Sequence, residues 1–285
     1  MIAAGIEFAE AGEGPVVVCL HGIGGGIESF APQMAGIAPP SASPRLGALP
    51  PNPRDISEPE KELEGYRVIS VNLPGYGASE AAVWPPSFES LSEALAVFID
   101  ALGVGPVHLV GQSIGGMLAL EHTLRRPDQV ASLVLIGTTP SFGGRDDSFK
   151  EAFLKARLAP LEAGQSMAEM AAEAAPQVVA SGTSAAVIDA VAAPMAAVSQ
   201  VTWRGILECL VTFNRRDDLG QVAQPCCLIA GGQDQNAPAR TMAKMADKLP
   251  DAEYHLIEAA GHMIHQEAPA QTNHIIMDFL GRQGA

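Results

Sequence analysis

The stretch Gly111-Gln112-Ser113-Ile114-Gly115-Gly116 constrains this chain more than any other. An apolar run of strand length, residues 107–110, leads directly into it, and a helix-like segment, residues 117–125, follows directly after. A strand that turns this sharply into a helix holds the serine in a strained backbone conformation and lifts its hydroxyl above the sheet. Only small neighbours allow the crowding, and Gly111 and Gly115 supply them. The plainer reading is a structural glycine turn; the strand before it and the helix after it weigh against that.

The same rhythm repeats along the chain. Strand-like apolar runs occur at residues 16–20, 67–72, 107–110 and 132–136, each ending in glycines or small polar residues. Between them lie segments of helical spacing, such as 88–102, where Leu91, Leu95, Phe98, Ile99 and Leu102 recur on one face. Strand followed by helix, repeated, predicts an α/β fold with a mostly parallel sheet flanked by helices on both faces. Residues 141–216 interrupt this rhythm with Ala-, Met- and Glu-rich segments that carry no strand signal, and they read as an inserted helical cap. The strand-and-turn pattern resumes at 226–230 and 254–257 and ends in a helix near 271–280. The expected organisation is a core of residues 1–140 and 217–285, the cap at 141–216, and a proline-rich surface loop at 36–61.

Composition narrows the partners. Lys and Arg number 17 against 32 Asp and Glu, a formal charge of −15, which is the wrong sign for neutralising phosphates. Nucleic acid and anionic membranes are therefore not expected as partners. No apolar run reaches the roughly 18 residues that a membrane span needs. The first basic residue is Arg45, too late for the charged start of a signal peptide, so the expectation is a cytoplasmic protein. Cys19, Cys209, Cys226 and Cys227 lie in apolar runs without metal-ligand spacing and read as buried free thiols, the last two on opposite faces of one strand.

A serine hydroxyl becomes a useful nucleophile only beside a base that removes its proton, and that base needs an orienting acid. Asp234, in the turn after the strand at 226–230, and His262, after the strand at 254–257, occupy strand carboxyl ends, where α/β sheets place their sites. Singly, Asp234 could be a turn residue bonding its own backbone and His262 an ordinary loop histidine. With Ser113 they form a candidate triad. The glycine-rich run His21-Gly22-Ile23-Gly24-Gly25-Gly26 follows the strand at 16–20, and the backbone N–H groups of Ile23 and Ile114 are the candidate donors to an oxyanion. No Lys-Ser or Lys-Thr follows these glycines, which disfavours a phosphate loop.

These landmarks resemble the α/β-hydrolase superfamily over residues 5–280. They include His21-Gly22, the run Asn72-Leu73-Pro74-Gly75-Tyr76-Gly77-Ala78-Ser79, the turn at Ser113, Arg126-Pro127-Asp128-Gln129-Val130, Asp234 and Gly261-His262. The resemblance implies a Ser-His-Asp triad and an acyl-enzyme mechanism without a cofactor. Within the superfamily, Gly137-Thr138-Thr139, Arg157 and Gly164-Gln165-Ser166-Met167 are similar to the lactonase and esterase branch that includes 3-oxoadipate enol-lactonases. The expected function is hydrolysis of a small carboxylic ester or lactone. Carbon–carbon bond hydrolysis of the meta-cleavage type and a low-turnover ligand-binding role are the rivals. Three features depart from the family: Asn72 stands where aspartate is common, the start is short enough for the first strand to be missing, and the segment 36–61 is long.

Gly24, Trp203 and Arg204 are candidate substrate contacts, with a solvated arginine beside a buried tryptophan as the alternative. Met167, Met170 and Met195 could form cap core or line an adaptable apolar pocket. His255, His262 and His265 lack the ligand spacing of a metal site, and none is expected. His21 is expected to order the glycine loop and His108 to pack in its strand, whereas His122, His265 and His274 are expected on helix surfaces or loops.

Overall fold

A computed structural model describes residues 1–38, 65–81, 83–143 and 147–283. The chain opens with two short strands, β1 (Ile2–Ala3) and β2 (Ile6–Ala11), which pair antiparallel with each other. A strand pair thus precedes β3, a point that the short start had left open, and β2 is the longer of the two. Its weak alternation, Ile6 and Phe8 inward and Glu7 and Glu10 outward, is a poor sequence signal in so short a run. Next come β3 (Val16–Leu20), α1 (Ala31–Ile37), β4 (Arg67–Val71), α2 (Phe88–Leu102), β5 (Val107–Gln112), α3 (Ile114–Arg125) and β6 (Val130–Ile136). Four helices follow without a strand: α4 (Asp147–Glu162), α5 (Met167–Ala174), α6 (Ala185–Ala197) and α7 (Gln200–Leu210). The chain then returns through β7 (Cys226–Gly231), α8 (Ala239–Ala246), β8 (Ala252–Ile257), α9 (Ile264–Glu267) and α10 (Pro269–Gly281).

The eight strands form one sheet in the order β1-β2-β4-β3-β5-β6-β7-β8. β2 meets β4 antiparallel, and every pairing from β4 onward is parallel. All residues of β3, β5 and β7 are buried, as strands covered on both faces must be. One face packs on α2, α3 and α8 through Leu95, Phe98, Leu118 and Met242. The other packs on α1 and α10 through Ile37, Ile276, Phe279 and Leu280. Cys226 falls in the first cluster and Cys227 in the second, the alternation expected of neighbours on a strand, and all four cysteines are free and buried.

Of the segment 36–61, expected as a loop, residues 36 and 37 close helix α1, and residues 39 onward lie outside the described residues. Asn72 has a local explanation. Its Nδ2 donates to the Glu7 carboxylate at 2.7 Å while its Oδ1 accepts from Ile27 N–H at 3.0 Å. An aspartate here would set a second carboxylate against Glu7. Among the described residues no single helix is long and apolar enough to cross a membrane.

Candidate active site

Ser113 sits between the end of β5 and the first residue of α3 with φ 55° and ψ −120°. That is a conformation non-glycine residues rarely hold, and it persists only where the surroundings enforce it. They do so through both backbone groups. Ser113 N–H donates to Ile136 O at 3.0 Å, and Ser113 O accepts from Gly116 N–H, Met117 N–H and Thr138 Oγ1. The glycines are required by contact: a Cβ on Gly111 would lie 2.4 Å from Gly115 O, and one on Gly115 would lie 2.1 Å from Leu20 O. With no side chains there, α3 starts hard against β3 and β5, and its first N–H groups, Ile114 included, have no partner within the helix.

The acid and the base come from the next two strand ends. Asp234 is 4% exposed, and its Oδ1 accepts from Asn236 N–H at 2.7 Å and Ala237 N–H at 3.0 Å. Its Oδ2 lies 2.8 Å from His262 Nδ1. Burial alone pushes the Asp234 pKa up, but the His262 bond and charge and the two backbone donors outweigh it and hold the carboxyl below its ordinary value. Such a carboxylate fixes His262 with Nδ1 protonated and Nε2 free to accept. Gly137, with φ +51°, makes room for the pair: a Cβ there would approach Asp234 Oδ2 to 3.3 Å and His262 Nδ1 to 3.4 Å.

The glycine loop after β3 closes on the same point. A Cβ on Gly22 would lie 2.2 Å from Gln112 Oε1 and 3.4 Å from Ser113 Cβ, so the loop backbone runs beside the serine. His21 is fully buried; Leu73 N–H donates to its Nε2 at 3.1 Å, which leaves Nδ1 to donate to Gly22 O at 2.7 Å. Burial lowers its pKa to about 4, so it is a neutral brace. Tyr76 Oη donates to Ile23 O at 2.8 Å, fixing the peptide plane after Ile23. Gly24 lies under Met195 of α6, whose Cε would sit 2.6 Å from a Cβ at that position.

Two further residues are built into the site without having been picked out from sequence. Gln112, 1% exposed, donates from Nε2 to His262 O at 3.1 Å and so links the serine turn to the histidine loop. The Glu267 carboxylate accepts from Gly261 N–H and Met263 N–H, the residues on either side of His262. It also accepts from Ala180 N–H at 2.6 Å and Thr183 Oγ1 at 3.1 Å in the helical segment between β6 and β7, and His262 N–H donates to Val178 O. Glu267 lies four residues past Met263, one helical turn, and that spacing was the signal available.

The remaining candidates are dispersed. Trp203, on α7, is 5% exposed and forms part of the wall of a cavity of about 160 Å³ with Met167, Met170 and Met195. Arg204, next to it, is instead directed outward: its side chain is 41% exposed and lies 3.8 Å from Glu162, and it is not in the cavity wall. A helix turns consecutive residues by about 100°, which separates the two. His108 is buried against Ser132 Oγ at 2.8 Å. His122 and His265, expected on surfaces, are both fully buried, because α3 and α9 are covered by the helices beside them; His274 is exposed. Among the described residues, the group with ligand atoms close enough for a metal ion is Cys227, Glu253 and His255, not the three histidines weighed from sequence. Glu253 there is already paired with Arg282 and, at 3.0 Å, with His255.

A family model described as alpha/beta hydrolase fold matches residues 15–269. The chain is 29% identical over 237 residues to the dihydrolipoyllysine-residue acetyltransferase component of an acetoin cleaving system from Pseudomonas putida, covering 75% of this chain and 56% of that protein. It is 25% identical to a 2-hydroxy-6-oxo-6-phenylhexa-2,4-dienoate hydrolase from Burkholderia cepacia, covering 96% of this chain and 91% of the relative. Among solved structures, an enol-lactonase from Burkholderia xenovorans superposes with a TM-score of 0.80 at 18% identity, covering 97% of this chain and 96% of that one, a likeness of fold.

Proposed function

The chain belongs to the α/β-hydrolase family, and from that premise we propose that it is a serine hydrolase cleaving a small carboxylic ester or lactone. The observation that carries this reading is the buried Asp234 carboxylate held 2.8 Å from His262 Nδ1, with the His262 carbonyl bonded by Gln112, the residue before a serine in a strained strand-to-helix turn. As Ser113 Oγ bonds to the substrate carbonyl carbon, His262 Nε2 takes its proton, and Asp234 stabilises the imidazolium. The carbonyl electron pair moves to oxygen, where Ile23 and Ile114 N–H donate. Collapse of this intermediate breaks the carbon–oxygen bond, and His262 returns the proton to the leaving alkoxide. For a lactone, that alcohol stays attached to the acyl chain. Water, deprotonated by His262, then attacks the acyl-serine, and the acid leaves with Ser113 Oγ reprotonated. No step needs a cofactor. Helices α4 to α7 serve as the cap over this site, with Met195 lying on Gly24.

The Burkholderia cepacia relative favours a second reading, carbon–carbon hydrolysis with the same triad, in which a dienoate rather than an alcohol is released. The first experiment is intact mass after incubation with a fluorophosphonate. One adduct on wild type and none on Ser113→Ala is expected. An unlabelled wild type that binds esters without turnover would overturn the enzyme reading in favour of a ligand-binding role.

A further inference from the structure

The chain just past β4 grips the proposed oxyanion loop at three points. Leu73 N–H donates to His21 Nε2, Tyr76 Oη donates to Ile23 O, and Asn72 Oδ1 accepts from Ile27 N–H at 3.0 Å. The Ile27 peptide is held from its other side as well, since Ser70 Oγ donates to Ile27 O at 2.9 Å. The glycine-rich run 22–26 is thus pinned at both ends by neighbours, and glycines bring no side chains of their own to fix a backbone.

What holds Asn72 in turn is a residue of β2, on the far side of the sheet order from β7 and β8. Glu7 Oε2 accepts from Asn72 Nδ2 at 2.7 Å and from Ala78 N–H at 2.7 Å. Backbone bonds double the link: Asn72 N–H donates to Glu7 O, and Glu7 N–H donates to Ser79 Oγ, whose own proton goes to Asn72 O. Gly77, with φ +52°, lies against both side chains; a Cβ there would come within 2.1 Å of Asn72 Nδ2 and 2.5 Å of Glu7 Oε2. The Ala78 and Asn72 bonds hold the Glu7 carboxyl below its ordinary pKa, so at neutral pH it is a carboxylate. A carboxylate only accepts, which obliges Asn72 to turn its amide nitrogen toward Glu7 and leaves its oxygen for Ile27.

Resting on the serine-hydrolase reading, we propose that Glu7 is a positioning residue for catalysis: its carboxylate sets the direction of the Asn72 amide, and Asn72 holds the loop that presents Ile23 N–H to the oxyanion. Glu7 acts only through Asn72 and that loop. A residue in the first ten of the chain thereby takes part in placing a donor beside Ser113.

The test is a double-mutant cycle with p-nitrophenyl acetate as substrate. Asn72→Asp opposes two carboxylates and should lower kcat about tenfold with KM within about twofold, because the oxyanion forms only after binding. Glu7→Gln alone should stay within about threefold, since its amide oxygen still accepts. When Glu7→Gln and Asn72→Asp are combined, the new amide donates to the new carboxylate, which still accepts from Ile27 N–H, and kcat should return to within about threefold of wild type. Glu7→Ala removes the acceptor without adding charge and should lower kcat about fivefold, which keeps the test open if Asn72→Asp does not fold. Glu10→Ala controls for general loosening of β2. Glu10 pairs with Arg67 of β4 at 2.8 Å, and its loss should leave kcat unchanged whatever it does to the melting temperature. A wild-type rate in Asn72→Asp or in Glu7→Ala, a combined variant no faster than Asn72→Asp, or an equal kcat loss in Glu10→Ala would overturn the proposal. Hydrogen exchange followed by mass spectrometry over residues 21–30 reads the loop without turnover; it should quicken in Asn72→Asp and slow again in the combined variant. That pattern in a chain that a fluorophosphonate does not label would sink the hydrolase reading and leave Glu7 as the loop's anchor. A labelled chain whose kcat and exchange both ignore the cycle would overturn the Glu7 assignment alone.

Discussion

At the residue scale, the site is a set of short bonds that each fix one atom. Asp234→Asn preserves the shape of the pair but favours the wrong imidazole tautomer, so the ester rate should fall roughly ten-thousandfold with the melting temperature little changed. Steady-state kinetics beside a thermal melt check this, and a near-wild-type rate would mean that the acid lies elsewhere. Glu267 acts one step removed. It clamps the backbone on both sides of His262 and ties that loop to Ala180 and Thr183. Glu267→Ala should lower kcat about 10- to 100-fold with a smaller change in KM, because a misplaced base slows chemistry more than it weakens binding. Thr183→Val removes the cap-side bond alone and should leave kcat within a few-fold; a loss as large as that of Glu267→Ala would show that the cap contact, not the loop clamp, is what matters.

At the element scale, α3 is both the helix behind the nucleophile and an anchor for the returning chain. Its Glu121, with a side chain 2% exposed, accepts from Arg125 Nε at 2.5 Å and from Arg215 Nε and Nη2 at 2.6 and 2.7 Å. Arg215 lies just past α7, so this carboxylate joins the end of the helical segment to the core. Both arginines are about a third exposed, which moderates the effect, and Glu121→Ala should cost about 2 kcal/mol. A lower urea midpoint with an unchanged m-value is the expected signature; an unchanged midpoint would show that the cluster adds nothing. The elements themselves were largely readable. Helix α2 spans the residues its apolar face marked, and its start is set by Ser87, whose Oγ accepts from Ser90 N–H. β1 and β2 were not readable, since two and six residues at an antiparallel edge offer too little periodicity.

At the scale of the whole molecule, three buried histidines link stability to pH. Burial lowers His21 and His122 to about 4, and burial followed by the nearby His262 lowers His265 to about 3. In the unfolded chain these rings bind protons near pH 6.5, and in the folded protein they do not until well below that, so the unfolded state takes up more protons between those values. The stability they contribute is fully present above about pH 6.5 and is lost progressively as pH falls toward 4. Each should account for on the order of 1–2 kcal/mol between pH 7 and 5. Thermal melts across that range should show a clear fall, and His122→Gln should flatten it; a melting temperature independent of pH would contradict their burial as neutral rings.

The sequence by itself determined the alternation of strand and helix and the strained turn at Ser113, together with the order in which serine, acid and histidine candidates follow one another. Each of these is written in local terms: apolar periodicity, glycines where no Cβ fits, and polar residues at strand ends. Tertiary structure alone decided which of those residues meet. Asp234 and His262 follow different strands, Gln112 and Glu267 hold the histidine loop from two other elements, and Gly137 leaves room for the pair. It also decided that neighbours on α7 part company, Trp203 into a cavity and Arg204 toward Glu162. Such outcomes depend on contacts between residues far apart in sequence, where burial and hydrogen-bond satisfaction are settled by packing and leave no periodic trace in the chain.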